Sequence, residues 1–382
     1  MADFGYDNAD FTDVDPRFGG LAELDRLLDA LHARDIRLLL DFVPNHASHV
    51  HPWFVESRSS RDDPKRDWYV WAAPGPDGGP PNNWRGHFGG SAWEWDAATG
   101  QYYYHAFLKE QPDLNWRNPR VRAAMADVLR FWLHRGIDRF RIDAEAVLAE
   151  TARLRDNPPK PDADERTPPA ERLDRVYTNY QPEVLDWLAE LRCTVHEFPD
   201  RVLLGEVEAS GDQIADFCGD DQRPILHLPL NYCLRDTPWE ARTLAVMIEQ
   251  YLGVLPQSAW PNWVVGSHDK PRMASALGNA QARVAAMLLL TLPGTPIFFA
   301  GDELGMCNAP TSPKTAAIRS SAICRATAST ATRNAHPSSG ARGRTPASRP
   351  GHRGCRWRMT MPEAMWRLRA PSTSRFSSCT GI

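Results

Sequence analysis

Four short stretches place polar residues just after apolar runs that read as strands. They are Asp41, Asn45 and His46 in DFVPNH, Arg141 and Asp143 in FRIDA, Glu206 in LLGEV, and His268, Asp269 and Arg272 in GSHDKPR. Where parallel strands end on one face of a barrel, such positions converge and active sites form. Asp143, Glu206 and Asp269 would then share a polar pocket. Carboxylates in a pocket with abundant aromatics suit glycoside cleavage, in which an ionised carboxylate attacks and a protonated acid serves the leaving oxygen. Arg141 precedes Asp143 by two residues, on the same strand face, and would keep that carboxylate ionised. Glu206 follows Gly205 with no adjacent base in sequence, so it is the better candidate for a raised pKa and the acid/base role. The chain's 14 Trp and 9 Tyr offer flat surfaces for sugar rings, although most Trp residues serve packing. Taken singly, each acid reads as a helix cap or loop residue. Their order and shared face carry the weight.

Elements able to hold these residues recur along the chain. LAELDRLLDALHARDI (21–36) has apolar residues at helical spacing and runs into the strand of RLLLDFVPNH. NPRVRAAMADVLRFWLHRGI enters DRFRIDA, and PEVLDWLAELRCTVHEFP enters DRVLLGEV. PWEARTLAVMIEQYLG precedes NWVVGSHD, and NAQARVAAMLLLTLPG enters TPIFFAGDELG. Asn118 before Pro119 and Gln181 before Pro182 mark helix starts, because proline is tolerated at the first helical position. Such units predict an α/β fold, with a parallel sheet covered by helices and either doubly wound or closed into a barrel. Residues 47–112, rich in Trp, Pro, Gly and Tyr, predict a small inserted subdomain with a functional role. Residues 150–180, proline-rich and charged, predict an exposed, solvated loop.

Composition excludes several classes. The longest apolar run, Val284–Ala300, is broken by Pro293, Gly294 and Pro296, so no transmembrane helix is expected. Seven cysteines at irregular spacing (193, 218, 233, 307, 324, 355 and 379) show neither a zinc pattern nor a disulfide framework. The net charge of −4 hides a break: from Cys307 onward, 13 Lys+Arg face a single acid, Glu363. Residues 1–306 therefore hold 31 bases and 47 acids, a balance that disfavours nucleic acid as partner. The 307–382 segment lacks either periodicity. It reads as a disordered low-complexity tail, as a basic arm, or as a coding sequence in a shifted frame. The 39 Arg against 5 Lys suggest GC-rich codons and favour the shifted frame.

In order, the four polar stretches resemble the signature regions of the alpha-amylase family of glycoside hydrolases. QPDLN (111–115) resembles the fifth region of its oligo-1,6-glucosidase and alpha-glucosidase branch. MADFGYDNADFTDVDPRFG, HPWF, NNW and GTPIFFAGDELGM resemble that branch too, so the likeness runs over residues 1–306. It implies a (β/α)8 TIM barrel with residues 47–112 as a subdomain inserted after the third strand. It also implies that Asp143 is the nucleophile forming a covalent glycosyl-enzyme, Glu206 the general acid and then base, and Asp269 the third, transition-state-stabilising carboxylate. By the same likeness, His46 and His268 hydrogen-bond the ring hydroxyls of the terminal glucose, Arg141 supports the nucleophile, and Tyr6 stacks on the sugar. Asp7 and Arg272 close the pocket, giving exo action. Asp41 and Asn45 are largely structural in the family. The branch is commonly intracellular, which implies a cytoplasmic enzyme with a small oligosaccharide as partner and neither nucleic acid nor membrane. No cofactor is required, and calcium or magnesium, where the branch binds it, sits in the loop after the first strand.

The resemblance places Met1 near the end of the second barrel strand. The barrel is thus expected to be incomplete, lacking its first strand, that metal-binding loop, its last helix and the usual C-terminal β-domain. Open strand edges make an inactive fragment one alternative. Ser267 stands where the family more often has Asn, and Ala144, where α-1,6 enzymes tend to carry Val, leans towards α-1,4 substrates. ERLDRV (171–176) resembles the sucrose-isomerase signature only by coincidence, since it lies elsewhere. A retaining exo-acting α-glucosidase leads. Trehalose synthase, which rearranges maltose, is the runner-up. The transporter heavy chains of the family need an N-terminal membrane segment, and some lack catalytic acids that are present here.

Overall fold

Proline and asparagine set the frame that carries the strand ends. The structure is a computed structural model and describes residues 2–168, 171–208 and 211–309. The readings of the tail beyond 309 lie outside the described residues. Leu21–His32 (α1) leads to Leu39–Phe42 (β1), as the apolar spacing predicts. Pro52–Ser57 (α2) and three antiparallel strands follow: Trp71–Ala72 (β2), Trp93–Asp96 (β3) and Gln101–Tyr104 (β4), in the order β2-β4-β3. Pro119–Arg135 (α3) then enters Arg139–Ile142 (β5), and Glu183–His196 (α4) enters Val202–Gly205 (β6). Gly211–Cys218 (α5) precedes Leu228–Pro229 (β7). Cys233–Asp236 (α6) and Ala241–Val254 (α7) lead to Asn262–Val264 (β8). Met273–Leu277 (α8) and Asn279–Thr291 (α9) lead to Thr295–Ile297 (β9).

Helix α3 shows the local logic. The Asn118 side chain accepts from the Arg120 N–H at 2.9 Å, and Pro119 occupies a first-turn position whose missing donor costs nothing. Gly136 closes the helix at φ 105°, a left-handed angle that side chains resist. Between the caps Val121, Met125, Val128, Leu129, Trp132 and Leu133 are buried at helical spacing. Each such burial is worth about 1.5–3 kcal/mol. Gln181 behaves differently from the expectation. Its side chain donates to the carbonyls of Val176 and Asn179, and α4 begins after Pro182, which already has helical angles.

Strands β1, β5, β6 and β7 pair in parallel in that order, and β8 and β9 form a second parallel pair. The register sets Asp41 opposite Arg141, and Ile142 opposite Gly205. Between β7 and β8 a side chain replaces the ladder. Fully buried Asn262 donates from Nδ2 to the Pro229 carbonyl (2.6 Å) and accepts from the Asn231 N–H (2.9 Å). Pro229 has no N–H to offer, which keeps β7 short. Trp84, Trp93, Trp116, Trp132, Trp187 and Trp263 are buried, and Trp53, Trp68, Trp71 and Trp239 pack partly buried against the core, so packing claims most of the tryptophans that the sequence offered to sugars.

The 150–180 segment is more than a solvated loop. The Arg155 carbonyl accepts from Trp84 Nε1 (2.8 Å), and Asn157 and Asn83 exchange hydrogen bonds (2.9 Å each). Arg175 donates to the carbonyls of Arg85 and Gly86. Asn157 and Thr178 are buried. The segment clips the 82–86 stretch of the inserted region to the loop that leaves β5, so its prolines shape a backbone that is partly covered.

Candidate active site

The parallel ladder continues past the strand ends and delivers the acids. Asp143 N–H donates to the Phe42 carbonyl (2.9 Å) and Glu206 N–H to the Ile142 carbonyl (3.1 Å), so Asp143 and Glu206 leave adjacent strands side by side. Arg141 lies beneath them with its side chain only 8% exposed. Nη1 contacts Asp143 Oδ1 at 2.5 Å, Nη2 contacts Glu206 Oε2 at 2.7 Å, and Asp41 Oδ1 stands 3.7 Å from Nη1. One guanidinium therefore serves three carboxylates.

This corrects the expectation that Glu206 has no base beside it. Its base is not a neighbour in sequence but comes across the sheet, because Arg141 pairs in register with Leu204. Burial holds the Asp143 carboxyl well above the usual range, with Arg141 opposing and Glu206 and Asp41 adding to the rise. Glu206 is raised as well, first by burial, with Arg141 opposing and Asp269 adding to the rise. The two carboxyls lie in hydrogen-bonding reach of each other, and burial pushes both above their normal range. Burial alone would lower Arg141, but Glu206, Asp143 and Asp41 keep it charged.

The third acid stands at the rim. Asp269 Oδ2 lies 3.3 Å from His268 Nε2, its side chain is 53% exposed, and its N–H donates to Ser267 Oγ (3.3 Å). Tyr6 links this side to β1: its hydroxyl donates to Asp41 Oδ2 (3.0 Å) and lies 3.1 Å from His268 Nε2. The Tyr6 and His268 rings stack 5.7 Å apart, 4° from parallel. His46 sits behind this layer, buried, with Nε2 2.8 Å from the Tyr6 carbonyl and Nδ1 3.2 Å from Asn45 Nδ2. Burial pushes its ring down to about 4, so it is neutral at pH 7. Gln111 of the QPDLN stretch bridges His46 and Asp3 (2.9 Å each). Asn45 ties the β1 end to Asp113 (3.0 Å).

Asp7 and Arg272 hold the backbone around the pocket. The Asp7 carboxylate accepts from the N–H groups of Ala2 and Asp3. Arg272 Nη1 donates to the Ala300 carbonyl (2.8 Å), and its guanidinium lies 4.4 Å from the Phe299 ring centroid. Three residues join the site that sequence reasoning passed over. Glu145 is fully buried, and among the described residues neither of its oxygens has a hydrogen-bond partner; burial pushes its carboxyl well above the usual range. Glu208 and Tyr232 flank Glu206, and only Glu208, two residues on from the acid, left a sequence signal. Among the described residues no group of three or more His, Cys, Asp or Glu is arranged to hold a metal ion, and no helix is long and apolar enough to cross a membrane.

Parallel strands that end in an arginine-bridged pair of carboxylates, with a third acid and a histidine opposite, define a class of sugar-processing catalytic domain. The chain belongs to that class by descent: residues 1–349 match the alpha-amylase catalytic domain, and the protein is a member of the alpha-amylase family. It is 39% identical over 324 residues to the "Probable alpha-glucosidase" of Rhizobium meliloti (strain 1021), covering 81% of this chain and 58% of that protein. It is 35% identical over 323 residues to the oligo-1,6-glucosidase of Parageobacillus thermoglucosidasius, covering 80% and 56%. The crystal structure of an alpha-glucosyl transfer enzyme, XgtA, superposes with a TM-score of 0.77 at 40% identity, over 82% of this chain and 60% of that one. The chain thus spans a little over half the length of these relatives.

Proposed function

We propose that this chain carries the catalytic centre of a retaining exo-acting α-glucosidase that releases glucose from short α-glucosides. On this reading the six parallel strands are part of a (β/α)8 barrel whose strand ends form the sugar site. The observation that carries it is the pair Asp143 and Glu206 held over one guanidinium. An inverting enzyme keeps its carboxyls about 6.5–9.5 Å apart to seat a water, whereas a retaining one holds them close enough to work on one bond from two sides. Asp143 and Glu206 lie within hydrogen-bonding reach of each other, closer than that inverting spacing.

Each group then has one task. Asp143 attacks the anomeric carbon as its proton settles on Glu206, and Glu206 delivers that proton to the departing oxygen. In the second half Glu206 takes a proton from water, which releases glucose with its configuration retained. Arg141 stays charged and neutralises whichever carboxylate is ionised. Asp269 and His268 meet the sugar hydroxyls from the opposite rim, Tyr6 covers the ring face, and the Asp7 and Arg272 loops close the end of the pocket. His46 supports the Tyr6 loop from behind. The chemistry uses side-chain carboxylates alone and calls for no cofactor.

Maltose incubated with the protein tests the reading, with products followed by proton NMR. The reducing-end glucose leaves with maltose's own anomeric mixture, so an early excess of α-glucose over that mixture supports the reading, trehalose would point to isomerisation, and an early excess of β-glucose would refute retention. Transfer to a second sugar uses the same glycosyl-enzyme and shows as a longer oligosaccharide at high maltose. Glu206→Gln is expected to lower kcat/KM on maltose by about 10²–10⁴-fold. The loss shrinks on an aryl glucoside whose leaving group needs no proton, and an equal loss on both substrates would remove Glu206 from the acid role.

A further inference from the structure

Glu206 has a charged neighbour that the mechanism does not use. Burial alternates through Glu206, Val207 and Glu208: Val207 is fully buried, while Glu206 and Glu208 are not. In extended chain this alternation puts Glu206 and Glu208 on one side. The Glu208 side chain is 56% exposed, so its carboxylate meets solvent on that side. Two contacts fix it there. Tyr180 OH donates to the Glu208 carbonyl at 2.5 Å, and Arg235 Nη2 lies 3.3 Å from Glu208 Oε1. Arg235 is itself largely buried, paired with Asp236 through Nε and Nη2 (2.7 Å each), and lies 4.2 Å from the Tyr232 ring centroid. Arg235 thus shares its charge between Asp236 and Glu208 and only partly cancels the latter.

We infer that Glu208 is a positioning residue for the reaction proposed above: its carboxylate, held beside Glu206 and incompletely neutralised by Arg235, keeps the proton on the acid/base to higher pH. The groups around Glu206 are Arg141 and Asp143 at the end of β5, Glu145 just after it, Asp269 from the rim after β8, Tyr232 from the β7–α6 side, and Glu208 from its own strand end, with Arg235 against Tyr232 and Glu208. Of these, Arg141 and the hydrogen bond with Asp143 pull the proton off, while Asp269 and Glu208 hold it on. Glu208 is the one whose strength a single pairing, Arg235, adjusts. A half-exposed carboxylate acts through solvent-screened field, so the effect is modest and weakens with salt.

The test is the pH dependence of kcat/KM for maltose at low ionic strength in four proteins. Glu208→Gln is expected to move the basic limb down by about half a unit, a roughly threefold loss above the limb with little change below it. Arg235→Gln frees the Glu208 charge and moves the limb up, and Arg235→Lys, which keeps the cation, restores the wild-type profile. Salt collapses all the differences. If wild-type turnover is present and Glu208→Gln leaves the limb in place, the inference is overturned and the glucosidase reading stands. If the wild-type chain does not turn over maltose, that reading fails by itself. The Glu206 carboxyl titration, followed by NMR on carboxyl-labelled protein, then decides: a lowered midpoint in Glu208→Gln supports the inference and an unmoved one overturns it. Glu208→Gln changes only a half-exposed carboxyl, and Arg235→Lys guards against a folding loss at Arg235.

Discussion

Asp143→Asn is expected to reduce maltose turnover by about 10⁴-fold or more while leaving the protein as stable as the parent, or more so. The activity loss follows from removing the nucleophile: the amide cannot form the glycosyl-enzyme, and Glu206 alone offers only proton transfer. The stability result follows from the carboxyl's environment. Burial raises the Asp143 pKa above its unfolded value, so the folded state favours its protonated form. Such a group contributes stability that is fully present below the unfolded pKa, near 3.9, and is lost as pH rises through the folded one. Asparagine does not titrate. The variant therefore gains on the parent as pH increases from about 4 into the neutral range, which thermal melts at pH 5 and pH 8 would register. A variant that loses activity together with stability at both pH values would make Asp143 a structural residue.

Arg141→Met is the complementary change, and it should fail in both respects. The guanidinium contacts Asp143 and Glu206 directly and, among the described residues, is the one cation touching the three carboxylates of Asp41, Asp143 and Glu206. Removing one partner of a buried ion pair costs about 3–5 kcal/mol, because the charges left behind are neither paired nor hydrated. Protonation relieves that cost, so the deficit against wild type narrows in acid and widens above neutrality. Activity falls as well: without Arg141 the coupled pair retains its proton more tightly, and the ionised nucleophile becomes scarce at pH 7. Urea melts of both proteins across pH 5 to 8 test the sign. A deficit independent of pH would assign Arg141 to packing instead of charge balance.

The strand ends were legible because each follows an apolar run and because parallel strands release their C-terminal residues on one face. Helix α3 was legible in the same way, through Asn118, Pro119 and the apolar spacing behind them. What was not legible depended on register across the sheet. Nothing in LLGEV announces that Arg141 reaches Glu206, since that contact arises from pairing Arg141 with Leu204. Strand β7 escaped notice for a local reason: it is two residues long, and Pro229 interrupts the alternation of Leu226, Leu228 and Leu230 that would otherwise read as a strand. The role of residues 153–157 as a clip was hidden because charge, a usual mark of a solvated loop, coexists there with the Leu154 carbonyl, which accepts from Asn82, and with Asn157, which bonds to Asn83. Ala144 lies at φ 54° just after Asp143, a left-handed turn that no alanine advertises.

The most direct measurement is to trap the covalent intermediate. The protein would be incubated with a fluorinated glucosyl fluoride that transfers its sugar rapidly and releases it slowly, then digested and mapped by mass spectrometry. The account predicts one glucosyl adduct, on Asp143 in the strand-end peptide of FRIDA, absent from Asp143→Asn and from protein saturated with competing maltose. An adduct on Glu206 or Asp269 would reverse the assigned roles. Steady turnover with no adduct on any carboxylate would contradict the retaining mechanism.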